Sequence, residues 1–138
     1  MSIKEIQEEI IEEFAMFDDW MQKYDYLIEL SKDIPLISKE YRLNENLIKG
    51  CQSKVWLHAR QIDGKVIYTA DSDAIITKGI AALLIRVLSE QIAEDILENE
   101  MYFIDAIGLK EHLSMTRSNG LVSMIKQMKF YALAFQAK

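Results

Sequence analysis

Lys54-Val55-Trp56-Leu57-His58-Ala59-Arg60-Gln61-Ile62-Asp63-Gly64-Lys65-Val66-Ile67-Tyr68-Thr69-Ala70 is the stretch that decides the fold class. The residues on either side of Asp63-Gly64 are β-branched, aromatic or alternating, and an Asp-Gly pair between two such runs is a strong short-range hairpin signal. The spacing predicts strands over 54–62 and 65–70. Val55, Leu57 and Ala59 fall on one face of the first strand, while Trp56, His58 and Arg60 fall on the other, so one face is expected to pack on helices. A short strand over 45–48 is expected to add a third member.

Outward from this hairpin the pattern is helical. Ile3, Ile6, Ile10, Phe14 and Phe17 recur three and four apart with Glu and Lys between them. Asp18 or Asp19 can cap a second helix with apolar positions Trp20, Tyr24, Leu27, Ile28 and Leu30. That helix should stop near Ser31-Lys32-Asp33, because Pro35 disfavours the α conformation in the residue before it. Downstream, Asp71-Ser72-Asp73 supplies short acceptors ahead of a broad apolar stripe, Ile76, Ile80, Leu83, Leu84, Val87 and Leu88, and is read as its cap. Two shorter helices are expected over 93–99 and 102–107, with Gly108 closing the second. Ser114 or Thr116 can cap a last helix, in which Leu121, Met124, Ile125, Met128, Ala132 and Phe135 share a face. The class is therefore α+β: a small antiparallel sheet of about three strands packed against helices, in one domain over residues 1–138.

Composition narrows the function classes. A formal net charge of -6 argues against binding a phosphate backbone, which needs clustered Lys and Arg, so protein partners are expected rather than nucleic acid. The longest apolar run, Gly79 to Ile85, is cut by Arg86, well short of the roughly 20 residues that span a bilayer, and no membrane association is expected. The acidic amphipathic start lacks the features of an export signal. Cys51 is the only cysteine, which excludes an internal disulfide framework and a cysteine-rich metal site within one chain. A lone thiol fits a reducing, cytoplasmic setting. His58 and His112 have no metal-ligand spacing and are read as structural. Neither a phosphate-binding glycine loop nor a Gly-x-Ser-x-Gly elbow occurs, and no metal or cofactor is expected.

Cys51 itself follows Lys49-Gly50 and precedes Gln52-Ser53, among polar residues where a turn meets a strand. Buried structural cysteines usually sit inside apolar stretches, so this placement suggests a presented thiol. Gly50 lets the backbone take a left-handed conformation and lets another molecule come close.

Several discontinuous stretches, in order and over nearly the whole chain, resemble the SufE family of sulfur-acceptor proteins, which includes the CsdE branch. They are Gly50-Cys51-Gln52-Ser53-Lys54-Val55-Trp56-Leu57, then Asp63-Gly64, then 70–79, and Leu113-Ser114-Met115-Thr116-Arg117-Ser118-Asn119-Gly120-Leu121, with Tyr26 to Leu30, Ile34-Pro35 and Asn44 upstream. Met115 and Ala93 stand where many relatives have proline, and Ser31 where many have glycine. The resemblance implies a fold like that of the IscU scaffolds. It also implies that Cys51 accepts sulfane sulfur from a pyridoxal-phosphate cysteine desulfurase of the SufS kind and passes it to an iron–sulfur assembly scaffold of the SufBCD kind. Scaffold function does not transfer with the fold, since the IscU proteins present several cysteines.

For that chemistry Cys51 must ionise near neutral pH. The backbone N–H groups of Gln52 and Ser53 and the Lys49 ammonium are candidates to stabilise the thiolate, although a loop lysine is commonly just solvated. Arg117 sits in the first turn of the last helix, where the helix dipole disfavours a cation. It is expected either to pair with a carboxylate of the partner or the Cys51 loop, or to bridge internally to Asp71 or Asp73. The rival readings are a docking regulator of a desulfurase with an incidental cysteine, a thiol redox sensor, and an acceptor that feeds a different sulfur-requiring pathway.

Overall fold

Asp63 and Gly64 both have positive φ, 51° and 80°, as a two-residue hairpin turn of the twisted kind requires. They join β1 (Val55–Ile62) to β2 (Lys65–Ser72) in continuous antiparallel register, from Ile62 opposite Lys65 to Val55 opposite Ser72. The computed structural model describes residues 1–137. Val55, Leu57 and Ala59 are buried, as are Val66, Tyr68 and Ala70 across the ladder, so the alternation that defined the strands also defines the covered face.

Helices cover that face. α3 (Ile75–Leu88) packs on β2 and on α2 (Trp20–Ser31). At the α2–α3 crossing a Cβ on Gly79 would lie 2.3 Å from the Leu27 carbonyl oxygen, so only glycine allows this approach. α1 (Ile3–Ala15) is closed by a reciprocal cap between Ser2 and Glu5, and α2 by the Asp19 side chain, which accepts from the Gln22 N–H at 2.9 Å. Glu9 and Glu13 of α1 reach Arg86 of α3, both at 2.5 Å, and Tyr26 of α2 donates to Glu13. The guanidinium holds the Glu13 carboxyl below its ordinary range.

After α3 come α4 (Ala93–Glu98), α5 (Phe103–Ala106) and the long α6 (Met115–Gln136). Ser114, not Thr116, caps α6, accepting from the Arg117 N–H at 3.2 Å. Gly120, Leu121, Met124, Met128 and Ala132 form its buried stripe, with Ile125 and Phe135 at the margins. Tyr68, fully buried in β2, donates its hydroxyl to the Met128 carbonyl at 2.6 Å and so ties α6 to the sheet.

Two expectations are corrected. The third strand is β3 (Gln91–Ile92), paired with Lys65 and Val66, and not residues 45–48. Over 44–46 the chain makes a 3-10 turn, and Leu47 adds only a single bridge to Trp56. Asp71 and Asp73 do not cap α3: β2 runs on through Ser72, and the residue before α3, Ala74, has no side-chain cap. Long-range partners take both carboxylates instead. Asp71 binds Arg42 at 2.9 Å and Lys78 at 3.2 Å, and Asp73 accepts from the Lys54 N–H at 3.0 Å.

Between Pro35 and Ile48 a strap crosses the open face of the hairpin. It bonds to both backbone groups of Ala70, stacks Tyr41 on His58 with ring centroids 3.7 Å apart, and lays the Arg42 guanidinium on Trp56 at 4.2 Å.

Candidate functional site

The segment 49–53 hangs between two anchors. On one side the Ile48 N–H donates to the Val55 carbonyl at 2.9 Å. On the other Lys54 is held three times: its N–H by Asp73, its carbonyl by the Ser72 hydroxyl at 2.8 Å and by the Asp73 N–H at 3.2 Å. The sequence makes these anchors out of the two strand ends, and Gly50, at φ 92°, turns the chain between them.

This turn presses the segment onto α6. A Cβ on Gly50 would stand 2.6 Å from Ser123 Oγ, and one on Gly120 would stand 3.3 Å from Cys51 Sγ. The thiol points at the helix, donating to the Gly120 carbonyl across 3.6 Å. Cys51 is half-buried, and burial pushes its thiol pKa up. The thiol is thus partly presented: in this conformation it lines a depression while resting against α6, and burial favours its protonated form near neutral pH. An unperturbed cysteine is already only a few per cent thiolate at pH 7, and burial reduces that fraction.

Around the sulfur is a depression of about 400 Å³. Cys51, Gln52 and Ser53 form one wall; Thr77 of α3 and Ser114, Thr116, Arg117 and Gly120 at the start of α6 form the rest. Hydroxyls and one guanidinium thus surround a thiol, a lining suited to a polar or anionic sulfur species.

Of the sequence-derived candidates, Gly50, Cys51, Gln52, Ser53 and Arg117 come together here. Lys49 does not. It lines a separate depression of about 380 Å³ on the far side of the Gly50–Ser123 contact, with Glu45, Lys126 and Tyr131. Burial alone accounts for the direction of the Cys51 shift. Asp71 and Asp73 stay outside the depression, bracing the strap and the loop anchor. Arg117 is exposed and, among the described residues, has no ion pair; the internal bridge to Asp71 or Asp73 does not form, and those carboxylates bind Arg42 and Lys78 and the Lys54 N–H instead.

The two histidines lie apart. His58 is stacked on Tyr41, and His112 lies tilted against Trp20 with centroids 4.0 Å apart. Among the described residues no three His, Cys, Asp or Glu side chains gather into a metal-binding group, and no helix is long and apolar enough to cross a membrane. Sequence reasoning missed Thr77, Gly120 and Ser123. The one signal for Gly120 was a glycine six residues into a helix, where it costs about 0.5–1 kcal/mol against alanine and so invites a packing explanation.

Comparison with known proteins gives a consistent set of likenesses. Residues 8–132 match the model of the SufE family, described as an Fe-S metabolism associated domain. An uncharacterized SufE-like protein of Rhizobium meliloti is 39% identical over 127 residues, covering 88% of this chain and 91% of that one. One from Synechocystis is 37% identical over 127 residues, covering 92% and 80%. SufE-like protein 1, chloroplastic/mitochondrial, of Arabidopsis thaliana is 36% identical over 132 residues, 95% of this chain but only 36% of that protein. The solution structure of a hypothetical protein from Thermus thermophilus superposes with a TM-score of 0.80 at 21% identity, over 96% of this chain and 97% of that one, a likeness of fold.

Proposed function

The chain belongs to the SufE family, whose domain is associated with Fe-S metabolism, and from that premise we propose that it is a sulfur carrier that loads on Cys51. Its donor is a pyridoxal-phosphate cysteine desulfurase of the SufS kind, which it stimulates by removing persulfide sulfur; its acceptor is an iron–sulfur assembly scaffold of the SufBCD kind. The observation that carries this reading is the placement of the only thiol on the wall of a polar depression that also holds Arg117.

The step is a thiol–disulfide-type exchange. Cys51 gives up its proton, its thiolate attacks the outer sulfur of the donor persulfide, a new S–S bond forms, and the donor cysteine leaves as thiolate. Gly50 gives the loop the freedom to swing outward, and the N–H groups of Gln52 and Ser53 stabilise the Cys51 thiolate once it forms. Arg117, unpaired within the described residues, supplies a cation for a partner carboxylate. A reducing cytoplasmic setting accords with a free thiol. Cys51 is the only cysteine, so no resolving thiol accompanies it, which disfavours the redox-sensor reading.

Mass spectrometry after incubation with desulfurase and cysteine tests this directly. Wild type should gain sulfur in a form removed by reductant, and Cys51→Ser should gain none and lose its stimulation of the desulfurase. Stimulation that survives Cys51→Ser would instead identify a docking regulator.

A further inference from the structure

Gly120 has a role that its position in a helix does not explain. It lies inside α6, its φ is not in the left-handed region, and the neighbours a Cβ there would meet are the Sγ, Cβ and Cα of Cys51, at 3.3, 3.8 and 3.9 Å. Its carbonyl is also the acceptor for the thiol. One turn further on, Ser123 sits against Gly50. The loop and the helix therefore meet through two glycines, one on each partner, at adjacent turns of the same helical face.

We propose that Gly120 is a positioning residue for Cys51: by lacking a side chain it opens the notch in α6 that the sulfur occupies, and its carbonyl takes the thiol hydrogen bond, so it fixes where the sulfur rests between partner encounters. This rests on Cys51 being the reacting residue. A methyl group at position 120 stands 3.3 Å from the sulfur, tighter than ordinary contact, so the loop that turns at Gly50 gives by a few tenths of an ångström before the helix does. The thiol is then pushed away from the Gly120 carbonyl and toward the water of the depression.

Charge around the sulfur reinforces the geometry. Arg117 of α6 faces the same depression, Lys49 of the loop lines the other one, and Lys78 beside Thr77 on α3 is held by Asp71. Among the described residues no carboxylate lines the depression. Desolvation in the notch thus governs ionisation, and it favours the protonated form. This penalty leaves folding stability unaffected below the ordinary thiol range and lowers it as pH rises from there through the folded value.

The experiment is the rate of alkylation of Cys51 by iodoacetamide as a function of pH, on the whole 138-residue chain with no desulfurase present, so that its outcome is independent of the proposed partners. Gly120→Ala should react severalfold faster at pH 7, with the midpoint of its rate–pH curve below that of wild type and a Tm no lower. Asn119→Ala, on the exposed side of the same turn, should keep the wild-type midpoint. An unchanged midpoint in Gly120→Ala, or an equal change in Asn119→Ala, overturns the proposal. Wild type alone gives an independent check: the Leu121 amide resonance, which belongs to the peptide carrying the Gly120 carbonyl, should titrate with the same midpoint as alkylation. A Leu121 amide insensitive to that titration also overturns it.

Discussion

Gly64 and Gly50 both hold left-handed backbone, at φ 80° and 92°, yet a Cβ at Gly64 would meet nothing within 4 Å whereas one at Gly50 would lie 2.6 Å from Ser123 Oγ. The first turn closes a hairpin in open solvent. The second bends a loop onto a helix and holds a thiol against it. Equal backbone geometry thus serves two ends, and what separates them is the chain of contacts on the far side of the glycine.

Substitution should separate the two turns most sharply at Gly50. Gly50→Ala combines strained φ with the Ser123 contact and should cost about 2–3 kcal/mol in denaturant unfolding. It should also change the alkylation rate of Cys51. Adding Ser123→Ala removes the close oxygen, and a double-mutant cycle should return about 1 kcal/mol of that cost. A cycle with no coupling would mean that the two turns differ less than their surroundings suggest.

Gly64→Ala carries only the conformational penalty and should cost about 1 kcal/mol, with Cys51 reactivity unchanged. Any change in thiol reactivity would break the contrast. A similar loss is expected from Asp73→Ala, which frees the Lys54 N–H: about 0.5–1.5 kcal/mol for one hydrogen bond. Here, unlike at Gly64, the alkylation rate should rise, because one anchor of the thiol loop has been loosened.

The smallest effect on stability should come from Arg117→Ala, within about 0.5 kcal/mol, since no internal ion pair is lost among the described residues. Desulfurase affinity, measured by titration calorimetry, should fall while Tm holds. A marked drop in Tm would restore an internal role for this residue.

The hairpin was legible from sequence because its whole grammar is local: Asp-Gly at the turn and alternation on both sides. The helices were legible for the same reason, through period and caps. Asp71 and Asp73 misled because their local grammar is also that of a helix cap, while the groups that claim them, Arg42 and Lys54, stand 29 and 19 residues away in the chain. Gln91–Ile92 is too short to show a period, and its pairing follows from Glu90 at φ 65° returning the chain to Val66. At the site, the motif around Cys51 named the loop but not the surface beneath it. Whether a cysteine projects or folds inward depends on what a distant helix offers, and a glycine at position 120 is silent until the loop is seen resting on it.

Cys51 lies midway between its anchors, three residues from Ile48 and three from Lys54, and this sets a radius. Three residues drawn out fully span about 10 Å, so the sulfur swings on a short tether pivoted at the strand ends. A donor sulfur sunk deeper than that arc is beyond its reach while both pivots hold. Any protein that exchanges sulfur here must therefore extend its own reactive atom to meet the tether, or offer an entrance wide enough to admit the strand ends themselves.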